Sequence, residues 1–222
     1  KINLNSNWEN LVYHKKHIFH IYYPDDTGYI GFGICKSFSL NSKESIKKLI
    51  NKNFKHQSYG NKKKIPLKLF GGIAFNFQQK PNTLWSDIPK SLFYLPELLL
   101  IKEKNSYYLV FNKIINKNSN LDTINSNYKI YIEQINNFSY KTYTNNISFK
   151  EDRPNREEYE NSFNAYLSKI DTNNIQKAIL SRTKIFESKN RINLIKRTSK
   201  STNFKIKLND DKYFFGCTPE VL

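Results

Sequence analysis

The middle of this 222-residue chain contains two apolar runs, Phe93-Tyr-Leu-Pro-Glu-Leu-Leu-Leu-Ile101 and Tyr107-Tyr-Leu-Val-Phe111. A turn at Asn105-Ser106 separates them, and both are rich in the aromatic and aliphatic residues that favour strands. We therefore predict two neighbouring strands in a strand-rich meander. No segment of the chain reaches the roughly 18 consecutive apolar residues of a membrane-spanning helix, so we expect no membrane partner.

The residues before this pair also favour a strand-rich fold. Three further strands are predicted there, at residues 17–23, 29–35 and 67–77. A helix is predicted over residues 42–53, because Ser42 can cap it and apolar residues recur on one face. The pair Gly71-Gly72 interrupts its strand, which indicates a bulge or a close approach of another backbone segment.

After Phe111 the sequence alternates between helical and extended patterns. A helix is predicted over residues 124–135, and a second one follows Asn155, which forms a capping-box pattern with Glu158 and precedes an apolar face that ends near Asp171. The elements predicted after it are a strand at 175–186, a short helical stretch at 192–196, and strands at 204–208 and 213–215.

The formal net charge of +17, from 36 Lys and Arg against 19 Asp and Glu, suggests a polyanionic partner such as a nucleic acid. Nearly all the cations are lysines, however, spread from Lys15 to Lys212 and accompanied by the Asn, Ile and Tyr of A/T-rich codons. Nucleic-acid-binding surfaces use arginine more often, because its planar fork matches phosphate and base edges. We expect no nucleic-acid partner, and a basic nucleic-acid-binding protein is the alternative from another functional class.

The cysteines and the amino-terminal histidines do not form a metal-binding pattern. Cys35 and Cys217 lie far apart, which is typical of structural thiols in a reducing cytoplasm. His14, His17 and His20 recur every three residues, but the segment has a strand pattern, in which His14 and His17 face opposite sides. We expect no metal there. The first residues lack the apolar core of a secretory signal, so we expect a cytoplasmic protein.

Two residues are candidates for proton transfer. In its predicted strand, Lys177 shares a face with Ile175 and Ile179. An ammonium group held against apolar surface loses hydration, so a lysine there can act as a neutral base; a lysine that protects an edge strand from aggregation is the alternative. Glu220 follows a Pro at a predicted strand end, where it can protonate a leaving group or be an ordinary surface carboxylate. The pattern leaves both alternatives open.

Three stretches, in order along the chain, resemble the chorismate-utilising enzymes, which include isochorismate, salicylate, anthranilate and aminodeoxychorismate synthases. They resemble, in turn, the Gly-Gly strand and aromatic-Pro stretch of the family's amino-terminal region, the start of its catalytic region, and its Gly-Ala-Ser-Pro-Glu-type turn. The residues are Phe70-Gly-Gly-Ile-Ala-Phe-Asn76 with Trp85, Pro89 and Phe93-Tyr-Leu-Pro96; Arg156-Glu-Glu-Tyr159 through Ile175-Gln-Lys-Ala-Ile-Leu-Ser-Arg182; and Phe215-Gly-Cys-Thr-Pro-Glu-Val-Leu222.

The resemblance implies an activity and a role for both candidates. Family members that add water to chorismate carry a Lys at the position of Lys177, whereas the ammonia-using anthranilate type usually does not. It therefore implies a Mg²⁺-dependent isochorismate synthase of menaquinone or siderophore biosynthesis. In such an enzyme Lys177 would be the general base that removes a proton from the water attacking C2 of chorismate. Glu220 would be the general acid that protonates the departing C4 hydroxyl. Salicylate synthase, which uses the same Lys and adds pyruvate elimination, is the nearest alternative.

The resemblance also implies the organisation of the chain. We expect an α+β fold, a large antiparallel sheet with outer helices, in which residues 1–150 form the amino-terminal strand-rich region and residues 151–222 begin the catalytic chorismate-binding domain. The family's metal-binding glutamates and most substrate-binding residues belong to its second half, which we expect after Leu222. We therefore expect chorismate as the substrate, a monomer, and no turnover by these 222 residues alone.

Overall fold

The structure, a computed structural model, describes residues 2–4, 7–50, 65–78, 85–140, 146–171, 176–188 and 200–219. The chain divides into two compact units: residues 1–140 with 196–222, and residues 141–195. No helix in these described ranges is long and apolar enough to cross a membrane. These units are groups of residues that contact one another, and they are not the family's domains. The predicted domain boundary at residue 150 therefore stays a prediction.

Nine strands and four helices occur in the described ranges. In chain order they are a 3₁₀ helix (Trp8–Tyr13), β1 (His17–Tyr22), β2 (Gly28–Ser39), α1 (Lys43–Ile50), β3 (Phe70–Ile73), β4 (Ser91–Glu103), β5 (Ser106–Phe111), α2 (Leu121–Asn136), β6 (Ile147–Arg153), α3 (Arg156–Asp171), β7 (Thr183–Ser188), β8 (Thr202–Lys207) and β9 (Tyr213–Thr218). The elements β6, α3 and β7 lie in the second unit.

The first unit contains one antiparallel sheet with the order β3-β4-β2-β1-β8-β9, in which β5 also pairs with β4. Strand β2 pairs along β4 from Leu92 to Lys102, so β3 and β5 share the other edge of β4, at its start and its end. Pro96 lies between those two partners, where its missing N–H does not break a ladder hydrogen bond. The predicted α+β class with a large antiparallel sheet is confirmed.

Strand β4 forms the centre of the core because it is covered on both faces. Its four consecutive residues Leu98–Ile101 are at most 2% exposed, although neighbouring strand residues point to opposite faces. Leu99 and Ile101 pack on one side with Phe19 and Tyr94. We call this side the inner face and the opposite side the outer face.

The sheet is strongly curled around the inner face. The rings of Phe19 on β1 and Phe70 on β3 stack with their centroids 3.9 Å apart. Two strands, β2 and β4, lie between β1 and β3, so a flat sheet would separate the two by about 14 Å. The natural twist of sheets, increased here by register shifts in β1 and β2, brings the strands back toward each other.

The 3₁₀ helix and α2 cover the outer face. Trp8 packs against Tyr22 and Tyr107, with ring centroids 5.6 and 5.7 Å apart. On α2, Tyr131 and Ile135 are buried. Helix α2 begins where Asn120 accepts hydrogen bonds from the amides of the first turn, so it is three residues longer at its start than the predicted helix 124–135.

Other predicted elements differ from the structure mainly at their ends. Ser42 caps α1 as predicted, accepting from the amide of Ser45, while residues 51–53 of that predicted helix and the stretch 192–196 lie outside the described residues. The predicted strand 67–77 is wrong except for β3, because only that part pairs with β4. Strand β6 was not predicted, since its sequence Ile-Ser-Phe-Lys-Glu-Asp-Arg loses apolar alternation after Phe149.

The second unit consists of the antiparallel pair β6–β7 and the helix α3. The predicted capping box is confirmed: Asn155 Oδ1 accepts from the Glu158 amide at 3.0 Å, and Glu158 Oε2 accepts from the Asn155 amide at 2.9 Å. The predicted apolar face of α3 is exposed, with Phe163 at 47% and Leu167 at 41%. Capping therefore contributes more to the start of this helix than burial does.

Two histidines of β1 are buried and hydrogen-bonded to each other. The Nε2 atom of His17 lies 3.1 Å from Nδ1 of His20, so one ring donates and the other accepts. Burial and, less strongly, the ammonium group of Lys205 lower the pKa of His20 to about 3. His20 therefore folds as a neutral residue, and the strand predicted for this segment is confirmed as β1.

The glycine pair of β3 allows a matched test of close packing. A Cβ atom on Gly71 would lie 1.9 Å from the carbonyl oxygen of Leu92 and 2.7 Å from the Cα of Phe93, whereas one on Gly72 meets no atom within 4 Å. We predict that Gly71→Ala lowers the free energy of unfolding by about 1–3 kcal/mol, because the backbone of β4 has to move. Gly72→Ala, the control, should change it by less than about 0.5 kcal/mol. Urea unfolding measures both, and equal midpoints for the two variants would contradict the close approach.

The buried histidine predicts acid sensitivity. Between about pH 6.5 and about pH 3 the unfolded chain binds a proton at His20 that the folded chain does not, so the free energy of unfolding falls as the pH falls through this range. At pH 5 this one residue should contribute a loss of about 2 kcal/mol. His20→Gln removes the titration, so the variant should lose less stability than the parent protein between pH 7.5 and pH 5. Equal losses in urea unfolding at the two pH values would rule out this residue as the cause.

Candidate functional site

Lys177, the predicted base, lies in an exposed segment before β7. Residues 177–182 have no regular secondary structure, and the pairing of β7 with β6 begins only at Thr183. The predicted strand 175–186 is therefore wrong in its first half, because β6 ends opposite Thr183. Ile179 is 81% exposed and so is not part of an apolar cover over Lys177, while Ile175, the other predicted neighbour, lies outside the described residues. Its role as a base stays a prediction.

An ion pair holds the end of this segment to the neighbouring strand. The Arg182 guanidinium Nη2 lies 3.6 Å from Oδ2 of Asp152 on β6, and both side chains are only partly exposed, at 33% and 25%. The ion pair thus attaches the carboxyl-terminal end of this segment to β6 at Arg182. Lys177 lies five residues before Arg182 and is exposed.

A charged pocket of about 730 Å³ lies beside the start of α3. Its lining residues are Phe149, Glu151, Asp152, Arg153, Asn155, Arg156 and Glu158. Arg153 pairs with Glu151 at 2.5 Å, and this hydrogen bond lowers the pKa of Glu151. Arg156 pairs with Glu160 at 2.8 Å. The cations of this pocket thus already bind carboxylates, and a dicarboxylic ligand would have to compete with them.

Glu220, the predicted acid, lies outside the described residues. The structure does describe the strand that precedes it: β9 pairs with β8 from Tyr213 to Thr218, two residues before Glu220. On β9 the Sγ of Cys217 lies 2.8 Å from the hydroxyl of Ser201. The role of Glu220 stays a prediction.

The ligands of a Mg²⁺ ion are not assembled in the described part of the chain. No three side chains of His, Cys, Asp or Glu converge there on one point. Carboxylates are the ligands that Mg²⁺ prefers, and eight of those described are paired with Lys or Arg. None of the described residues is therefore assigned as a Mg²⁺ ligand, and the requirement for Mg²⁺ stays a prediction.

A second polar cluster, on the outer face, was not predicted. The Lys16 ammonium group donates to the Tyr131 hydroxyl at 2.7 Å, and this hydroxyl donates to the Glu97 carboxylate. Burial and the hydrogen bond to Glu97 raise the pKa of Tyr131, so the phenol remains a donor. Gly33, with φ +62°, allows Glu97 to come close, because a Cβ there would lie 2.9 Å from its Oε2. The sequence signal was Glu97 itself, a single carboxylate within an apolar run.

Comparison with known sequences and structures places these features in a family. A sequence model described as "Chorismate binding enzyme" matches residues 4–222, nearly the whole chain. Among curated protein sequences no match was found. The match confirms the resemblance inferred from the three sequence stretches.

The fold is similar to that of MenF, the menaquinone-specific isochorismate synthase from Escherichia coli, with a TM-score of 0.55. The superposition covers 97% of this chain and 47% of the MenF chain at 13% sequence identity. This chain therefore spans about half the length of that solved protein. At so low an identity the likeness shows a common fold.

Proposed function

Because the chain belongs to the family of chorismate-binding enzymes, we propose that the protein containing it converts chorismate to isochorismate. The observation that carries the proposal is the stretch around Lys177, whose resemblance to the family assigns this lysine to the position that water-adding members use. The family match over residues 4–222 supports the resemblance as a whole. The fold it shares with MenF, a menaquinone-specific isochorismate synthase, is compatible with this activity and with a place in menaquinone biosynthesis.

The proposed reaction is an exchange of one hydroxyl group for another. Lys177, in its neutral form, accepts a proton from a water molecule while the oxygen of that water bonds to C2 of chorismate. Both conjugated double bonds of the ring shift, from C1=C2 and C5=C6 to C1=C6 and C4=C5, and the C4–O bond breaks. Glu220 gives its proton to the departing hydroxyl, which leaves as water. One water enters and one leaves, so the product is an isomer of the substrate.

Both residues have to start in the protonation state that is the minority form in water at neutral pH. A low-polarity site favours neutral lysine and neutral glutamic acid together, because burial penalises both charged forms. Lys177 is exposed among the described residues. In the proposed enzyme, bound chorismate and polypeptide around the segment supply this cover. Mg²⁺, when bound, would neutralise and orient the carboxylate of chorismate.

Activity assays on the protein that contains this chain test the proposal. With chorismate and Mg²⁺, we expect isochorismate as the product, measured by chromatography, without release of pyruvate. Lys177→Ala and Glu220→Gln should each lower kcat by about a hundredfold or more, the usual contribution of a positioned acid or base. Lys184→Ala is the matched control, because Lys184 is an exposed lysine of the same unit and should be dispensable.

Each outcome decides one part of the proposal. Turnover close to that of the parent protein in Lys177→Ala would exclude Lys177 as the base. Release of pyruvate with salicylate would assign the protein to the salicylate synthases. The absence of a nucleic-acid partner, the monomeric state and the cytoplasmic location stay predictions.

A further inference from the structure

Five residues join two parts of the curled sheet that are distant in the strand order. Trp85 and Asp87 lie between β3 and β4, and Asn209, Lys212 and Phe214 lie in the β8–β9 hairpin. We call these five residues the clasp. Strands β4 and β8 are separated by β2 and β1 in the sheet, so the clasp connects regions that the sheet's hydrogen bonds do not connect directly.

Asp87 is the polar centre of the clasp. Its Oδ1 lies 2.5 Å from the Lys212 ammonium nitrogen, and its Oδ2 accepts from the Asn209 side-chain amide at 2.8 Å. The hydrogen bond from Lys212 is the main reason why the pKa of Asp87 is lowered. Asn209 is itself oriented by the turn, since its Oδ1 accepts from the amides of Asp211 and Lys212 at 3.0 and 2.8 Å. Both carboxylate oxygens therefore meet donors that the hairpin has already arranged.

Trp85 adds an apolar contact to the same hairpin. Its ring meets Phe214 of β9 edge-on, with centroids 5.9 Å apart and planes at 64°. Phe214 in turn packs against Phe204 of β8 at 5.4 Å. Close by, the Tyr94 hydroxyl of β4 donates to the carbonyl of Leu208 at 3.4 Å. Polar and aromatic contacts thus join the start of β4 to the end of β8 and the start of β9.

The clasp matters because strand β9 leads directly to Glu220. This strand ends the strand order and, within the described sheet, pairs with β8. Glu220 comes two residues after Thr218, the last residue of β9, so about 7 Å of chain at most separates them. A shift or local opening of β9 therefore also moves the point from which the chain continues to Glu220.

We propose that Trp85 and Asp87 are positioning residues, which hold β9 against the curled sheet and thereby determine where Glu220 enters the active site. The inference rests on the proposed function of Glu220. Neither residue touches the substrate in this proposal, and both act through the β8–β9 hairpin.

Amide hydrogen exchange on the protein that contains this chain tests the clasp without any need for activity. In Trp85→Ala the amides of β9 should exchange about 2- to 10-fold faster, as expected for loss of an aromatic pair. In Asp87→Ala the same amides should exchange about twofold faster, in line with a surface ion pair. Trp85→Phe should keep most of the protection. The double variant D87K/K212D should regain part of the protection that Asp87→Ala loses.

Asp211→Ala is the matched control, because Asp211 is an exposed residue of the same hairpin and takes part in the described contacts of the clasp only through its backbone amide. Its β9 amides should exchange as in the parent protein. Unchanged exchange of β9 in both Trp85→Ala and Asp87→Ala would overturn the clasp. If Trp85→Ala does not fold, the Asp87 variants decide the question alone.

Chorismate turnover tests the positioning role. Loosening of β9 should lower kcat several-fold with little change in KM, and D87K/K212D should recover activity together with exchange protection. A looser β9 with unchanged kcat would overturn the positioning role. If the parent protein does not act on chorismate, the proposed function fails, and hydrogen exchange still decides whether the clasp holds β9.

Discussion

The burial of β4 on both faces is the constraint on which the rest of the first unit depends. Four successive side chains, Leu98–Ile101, can be buried together only if material covers the sheet on both sides. The inner face obtains this cover by curling, which brings Phe70 of β3 onto Phe19 of β1. The outer face obtains it from the 3₁₀ helix and α2. The curl and the position of α2 are thus two consequences of one apolar run.

Polar contacts then select one arrangement among those that apolar packing allows. On the outer face, Tyr131 joins α2 to β4 through Glu97 and receives a hydrogen bond from Lys16. On the inner side, Asp87 joins the start of β4 to the β8–β9 hairpin. Hydrogen bonds are directional, whereas the hydrophobic effect is not. A few hydrogen bonds can therefore define the relative orientation of strands and helices that hydrophobic packing brings into contact.

In the second unit, local hydrogen bonds are well formed but little apolar surface is buried. Its helix α3 begins with two reciprocal hydrogen bonds at Asn155 and Glu158, yet its apolar face is exposed. Lys177 lies in an exposed segment of the same unit, beyond the ion pair of Arg182. Proton transfer by a neutral lysine requires a drier environment than this segment has by itself. The proposed chemistry therefore depends on cover over the segment, and the exposed side chains of α3 show that apolar surface is present in the same unit.

Local features of this protein could be read from its sequence because they depend on neighbours along the chain. Ser42 and Asn155 cap their helices through amides three residues away. The turn predicted at Asn105-Ser106 lies one residue earlier, at Lys104-Asn105, and connects two strands that pair with each other. Gly71 also indicated a close backbone approach, since few other reasons place a glycine pair inside an apolar strand. The family followed from three stretches in a fixed order, and a match over residues 4–222 agrees with them.

The contacts that could not be predicted from the sequence are those between residues that lie far apart along the chain. The strand before Arg182 was predicted from alternation, but a strand also needs an edge to pair with, and β6 ends opposite Thr183. The stack of Phe19 on Phe70, the buried pair His17–His20 and the contact of Asp87 with Lys212 depend on the curl and the register shifts of the sheet. The sequence by itself determined the α+β class, the caps and the family, because their signals are local. Only the tertiary structure decided which side chains meet, because the summed packing of the whole sheet sets those contacts.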